Sequence, residues 1–204
     1  MTLKGLILDF GEVLVHAQSA ASVLRMAAAA GLPVEDFTRR YWAHRDAYDG
    51  GLPVADYWAR VLDGVPDGKA PRAGASPFLE LIEDDCASWT DYREEVWEIA
   101  KAFKAAGGRA AMLSNGVPEI ICKVRAERDL SRFFDVVIVS CEVGCAKPDP
   151  RIYRLCLEQL GTPAAATMFV DDREVNLAAA RDAGLQTLHF TGDASIAALR
   201  ARIA

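Results

Sequence analysis

Apolar residues collect in short runs of strand length at Leu3–Phe10, Arg109–Asn115, Val136–Ser140, Thr167–Asp171 and Gln186–Phe190. These runs are apolar almost throughout instead of at every second position, the mark of strands covered on both faces. Between them apolar positions recur at helical spacing, over Arg93–Ala106, Pro118–Arg128, Pro150–Leu160, Glu174–Ala183 and Ala194–Ile203. Element boundaries carry their own chemistry. Asp149 precedes Pro150, so an acid can cap the helix while proline takes the first position, where no donor is lost. Gly107, Gly161 and Gly184 follow helical patterns, where a left-handed residue lets the chain leave. Strand and helix therefore alternate, which predicts an α/β fold: a doubly wound parallel sheet with right-handed crossovers and helices on both faces.

One stretch breaks the rhythm. From Ala17 to about Ser88 helical patterns occupy Ser19–Ala30, Val34–Asp49, Val54–Leu62 and a segment around Pro77–Ile82, with no convincing strand. Gly31-Leu32-Pro33, Gly50-Gly51-Leu52-Pro53 and a loop from Asp63 to Ser76 separate them. A small helical bundle inserted into the sheet domain accounts for this best. The expected division is a core of residues 1–16 and 89–204 with an inserted α-helical domain of residues 17–88.

Composition narrows the function classes. The chain has 204 residues, 51% of them apolar, enough for a real core, and a formal net charge of -6. No lysine or arginine cluster offers a footprint for a nucleic-acid backbone. No apolar run approaches the roughly 20 residues that span a bilayer, and the chain begins on a strand-like segment, so a cytoplasmic protein without nucleic-acid or membrane partners is expected. Five cysteines, Cys86, Cys122, Cys141, Cys145 and Cys156, contain no C-x-x-C pair and read as inert thiols.

In open α/β sheets ligands bind beyond the carboxyl ends of the strands. Those ends are polar here: Asp9, Ser114-Asn115, the loop leading to Lys147-Pro148-Asp149, and Asp171-Asp172. Any one of them could merely end a strand or cap a helix. Gathered at one edge, the acids of β-strand ends would repel and raise each other's pKa unless a cation held them. Oxygen ligands without histidine or thiolate nearby point to Mg²⁺, which pairs with phosphate-bearing substrates. A serine hydroxyl, free backbone N–H groups and a lysine ammonium complete a receptor for a tetrahedral anion.

At this point the sequence resembles the haloacid dehalogenase superfamily, which carries four short motifs in this order. Asp9 in "LILDFGEVL" resembles the nucleophile motif and Ser114 in "AMLSNG" the second. Lys147 in "GCAKPDP" resembles the third, and Asp171-Asp172 with Asn176 in "MFVDDREVN" the fourth. The resemblance covers about residues 3–15 and 95–190, and the helical insertion falls where this family places its cap. It implies a Rossmann-like core in which Asp9 attacks phosphorus, giving an aspartyl-phosphate that water hydrolyses. It further implies Mg²⁺ held by Asp9, the backbone carbonyl of Gly11 and Asp172, with Asp171 the next choice. Ser114, Asn115 and Lys147 would hold a small phosphorylated metabolite, a sugar phosphate being the default.

Gly11 departs from the phosphatase pattern, which usually has an aspartate two residues beyond the nucleophile to move protons. Its carbonyl can still bind metal, so the loss falls on proton transfer. Glu12, His16, His44 and Arg45 are possible substitutes, and Trp42 and Arg45 lie on a helical pattern that could face a substrate. Two competing readings follow. The dehalogenase branch also lacks this acid and would act on a 2-haloacid without metal, leaving the extra carboxylates without work. A catalytically weak binding protein of the same fold is the third reading.

Overall fold

The computed structural model describes residues 2–65 and 76–203. Strands β1 (Gly5–Leu8), β2 (Arg109–Ser114), β3 (Val136–Val139), β4 (Thr167–Asp171) and β5 (Gln186–His189) form one parallel sheet in the order β3-β2-β1-β4-β5. β4 has the bounds the apolar run predicts, and the other strands are a little shorter at their ends. The chain proceeds from β1 to β2 and β3 on one side, then crosses to β4 and β5 on the other. The carboxyl ends of β1, β2 and β4 are therefore neighbours at the point where the order reverses.

Register sorts the strand side chains into two faces. Leu8 pairs with Met112 and Val170, and all three join one buried cluster. Ile7 pairs with Ala111 and Phe169, which join the other. Helix α6 (Glu94–Ala105) buries Val96, Trp97, Ala100 and Phe103 in the first cluster. Helix α9 (Pro150–Leu160) buries Ile152, Tyr153, Cys156 and Leu160 in the second. Each large apolar side chain so buried contributes ~1.5–3 kcal/mol, so both helices are held by their apolar stripes. α9 starts and stops as its sequence requires: the Asp149 carboxylate accepts the Arg151 N–H at 2.9 Å, and Gly161 is left-handed with φ 70°.

Among the described residues between β1 and α6, all regular structure is helical: α1 (Ala20–Ala29), α2 (Val34–Ala43), α3 (Arg45–Asp49), α4 (Val54–Val61) and α5 (Ser76–Ser88). Two expectations are corrected. The single helix expected over Val34–Asp49 breaks at His44, where φ opens to -115°. Beyond the break α3 bonds directly to the sheet domain, through Tyr48 Oη to Glu119 at 2.9 Å and Ser140 Oγ to the Asp49 carbonyl at 2.5 Å. A continuous helix is given up for those tertiary bonds. The helix expected around Pro77–Ile82 runs on to Ser88, because Asp85 points inward to receive the Tyr41 hydroxyl and the apolar periodicity alone does not register it. Residues 66–75 of the expected loop lie outside the described residues.

The insertion has an aromatic centre of Phe37, Tyr41, Tyr48, Tyr57 and Trp58. Tyr48 and Tyr57 stack with centroids 4.2 Å apart. The two chain passages linking insertion and sheet run side by side: Val15 bridges Tyr92, His16 N–H donates to the Asp91 carbonyl, and Arg93 N–H donates to the Leu14 carbonyl. Helices α7 (Pro118–Glu127), α8 (Ser140–Val143), α10 (Glu174–Asp182) and α11 (Ala194–Ile203) complete the layers. Among the described residues no helix is long and apolar enough to cross a membrane.

Candidate active site

Asp9 leaves β1 in extended conformation with its N–H bonded to the Val170 carbonyl at 2.9 Å, which fixes it beside the end of β4. Its Oδ1 accepts the Phe10 N–H at 2.7 Å. The chain then makes a tight turn over Phe10–Leu14, with Gly11 extended and Glu12 left-handed at φ 56°. A non-glycine residue in that region stores strain, and such residues cluster at sites where the chain must turn sharply for function.

Lys147 is buried between two of the acids, its Nζ 2.7 Å from Asp9 Oδ1 and 2.7 Å from Asp171 Oδ2. Asn115 holds the lysine in place: its Oδ1 accepts the Lys147 N–H at 2.7 Å and its Nδ2 donates to the Lys147 carbonyl at 2.8 Å. Both polar atoms of the Asn115 side chain are thus engaged by the Lys147 backbone, while the residue lines the cavity beside Ser114. Asp171 is saturated in turn, accepting from Lys147, from the Asn176 amide at 2.9 and 3.1 Å and from the Arg173 N–H at 2.8 Å. Ser114 is buried at the end of β2, its hydroxyl donating to the Asn115 carbonyl at 3.2 Å.

Asp9, Asp171 and Asp172 each offer a carboxylate oxygen within 4.8 Å of the others. Burial pushes Asp9 well above the usual carboxylate range, with Lys147 opposing and Asp171 and Asp172 adding to the rise. Asp172 is pushed to about 6 by burial, then by Asp171 and Glu12. Burial pulls the Lys147 ammonium down, and Asp9 and Asp171 together outweigh it to leave the lysine firmly charged. One lysine thus faces three acids, and Asn176 Oδ1 is buried beside them with no partner. A hard divalent cation fits this donor set, supplying the missing positive charge to oxygen ligands.

Asp9 and Asp172 of this cluster, with Lys147, line a cavity of about 440 Å³. Gly11, Ser114, Asn115 and Asn176 line the same wall, while α3 contributes Arg45, Asp46 and Asp49 opposite, flanked by Trp42 and Trp89. Trp42 is 49% exposed there, and a Cβ placed on Gly11 would meet only the Trp89 ring, at 3.7 Å. Arg45 is buried, bonded through Nε to Asp49 at 2.9 Å and through Nη1 to Tyr41, and it lies over the Tyr41, Tyr48 and Trp89 rings. Arg173 reaches across to Asp46 at 3.8 Å.

The structure thus brings Asp9, Gly11, Ser114, Asn115, Lys147, Asp171 and Asp172 together, with Glu12, Trp42 and Arg45 on the same cavity. His16 lines a neighbouring hollow with Arg93 and His189, and His44 lines neither. Asp46, Asp49, Trp89 and Arg173 escaped the sequence reading. For Asp49 a signal was available, four residues after Arg45 on the same helical pattern, which places both on one face.

A family model described as haloacid dehalogenase-like hydrolase matches residues 3–184. A phosphoserine phosphatase of Thermus thermophilus is 35% identical over 91% of this chain and 88% of its own length. Among solved structures, a haloacid dehalogenase family enzyme of Bacteroides thetaiotaomicron in complex with magnesium and inorganic phosphate superposes with a TM-score of 0.70. It is 18% identical over 92% of this chain and 93% of that one. An L-2-haloacid dehalogenase superposes with a TM-score of 0.69, at 20% identity over 94% of this chain and 87% of that one.

Proposed function

The chain belongs to the haloacid dehalogenase-like hydrolase family, and from that premise we propose that it is a Mg²⁺-dependent phosphohydrolase acting on a small phosphorylated metabolite through an aspartyl-phosphate. The observation that carries this reading is the convergence of Asp9, Asp171 and Asp172 within 4.8 Å around a single buried lysine. Nucleophilic displacement at carbon needs no such excess of acids. The magnesium and phosphate held by the Bacteroides enzyme and the phosphatase activity of the Thermus relative support it.

The Ser114 hydroxyl and the Lys147 ammonium bind the phosphoryl oxygens and offset their charge. An Asp9 oxygen bonds to phosphorus as the bond to the alcohol oxygen breaks, and water then attacks the aspartyl-phosphate to release phosphate and free the carboxylate. Asp9, the Gly11 carbonyl and Asp172 would hold Mg²⁺. Asp171 is already saturated by Lys147, Asn176 and the Arg173 N–H, which favours Asp172 as the direct ligand. Held by these residues, Mg²⁺ would supply positive charge that lets the Asp9 carboxylate approach the phosphoryl group. Residues 17–88 act as a cap over the core of 1–16 and 89–204, closing at the paired passages near Val15 and Tyr92 to expel water. A neutral, hydroxylated leaving group such as a sugar suits the Trp42 and Trp89 faces.

The second reading, a metal-independent 2-haloacid dehalogenase, is favoured by Gly11, which supplies no acid. Phosphate release from a panel of phosphate esters, measured with Mg²⁺ and with chelator beside chloride release from 2-chloropropionate, separates the two. Metal-dependent phosphate release is expected, and Asp9→Asn abolishes it. Chelator-insensitive chloride release would replace the first reading by the second, and full activity of Asp9→Asn would remove the nucleophile from both.

A further inference from the structure

We propose that Asp49, carried to the catalytic cavity by α3, is the proton donor and acceptor that Gly11 cannot be; the proposal rests on the phosphohydrolase reading above. Beyond the cation cluster, the acids lining the cavity are Glu12, Asp46 and Asp49. Glu12 is exposed, and its charge acts on Asp172, which places it on the cation side of the cavity. The Asp46 side chain is 88% exposed and bathed in water. The Asp49 side chain is only 13% exposed. Burial raises its carboxyl above the usual range, with Arg45 and Lys147 opposing and Asp46 adding to the rise.

The position of Asp49 is fixed from both sides. Ser140 Oγ donates to the Asp49 carbonyl at 2.5 Å and accepts the Gly116 N–H at 3.0 Å, so the Asp49 backbone lies one hydroxyl away from the loop that follows Ser114. Arg45 Nε holds Asp49 Oδ1 at 2.9 Å, which leaves Oδ2 for a ligand. As the Asp9 oxygen bonds to phosphorus and the ester P–O bond breaks, the Asp49 carboxyl gives its proton to the departing alkoxide oxygen. In the second half, the resulting carboxylate takes a proton from the water whose oxygen bonds to phosphorus. The Asp9–phosphorus bond breaks, and Asp49 is again protonated.

The test compares an alkyl ester, glycerol 1-phosphate, with p-nitrophenyl phosphate, whose phenolate leaves without protonation. With Asp49→Asn, kcat/KM, which reports the steps up to departure of the alcohol, is expected to fall ~10²- to 10⁴-fold on the alkyl ester and less than about 10-fold on the aryl ester, the loss being that of a positioned acid. Adding Gly11→Asp to Asp49→Asn is expected to return at least ~10-fold on the alkyl ester, since the space at Gly11 admits a side chain. Equal losses on both esters, no loss on the alkyl ester, or no recovery in the double variant would each overturn the role of Asp49 while metal-dependent hydrolysis by the parent protein upheld the phosphohydrolase reading. A parent protein silent on both esters would overturn the two together.

Discussion

Lys147 concentrates the energetics of the site in one residue. Its ammonium lies 2.7 Å from both Asp9 and Asp171, all three being buried, so removing it strands two carboxylates out of water. Breaking a buried pair in this way costs ~3–5 kcal/mol. Lys147→Met is therefore expected to lower the free energy of unfolding in urea by that amount without added metal; a loss under about 1 kcal/mol would mean that the pair is not buried in solution. The acids and the lysine could be read from strand ends, because the fold class fixes where strand ends go. The pairing of Lys147 with Asp171, and the use of Asn115 as its clamp, could not, since both depend on how a loop folds back over distances of tens of residues.

Among elements, the short helix α3 matters out of proportion to its length, because it carries Arg45 and Asp49 to the cavity and is tied to a hub at Tyr41. The Tyr41 hydroxyl donates to Asp85 at 2.7 Å and accepts from Arg45, from Trp89 Nε1 at 3.2 Å and from Gln18 at 3.2 Å. It thereby joins α2, α3, α5 and the first passage into the insertion. Tyr41→Phe leaves Asp85 short of a donor and Arg45 short of an acceptor, a cost on the order of 2–3 kcal/mol. In a chain of this size that lowers Tm by about 4–12 °C. Because Trp89 and Arg45 both lose an anchor, KM is expected to rise as well; unchanged KM and Tm would dissolve the hub. The break at His44 was invisible to helical periodicity, which records which faces are apolar and says nothing of the bonds to Glu119 and Ser140 that reward a change of direction.

For the whole molecule, an excess of buried acid where strands from distant parts of the chain meet predicts a linkage between cation and fold. A divalent ion that binds only the folded state stabilises it by about 2.7 kcal/mol at a hundred times its dissociation constant. A rise in Tm of about 5–11 °C on adding Mg²⁺, reversed by chelator and diminished in Asp172→Asn, is expected in calorimetry. Absence of any shift would count against the cation. Local patterning along the chain was enough to read the layers, the parallel sheet, the run of helices between β1 and β2 and the residues closing each strand. Those follow from which positions must leave water and from local rules of capping and turning. Long-range contacts alone set the pairing of Asp171 with Lys147, the clamp made by Asn115, and the bend that brings Asp49 and Arg45 of α3 to the cavity. Each of these rests on contacts between residues far apart in the chain, whose energies no local pattern of apolar and polar positions encodes.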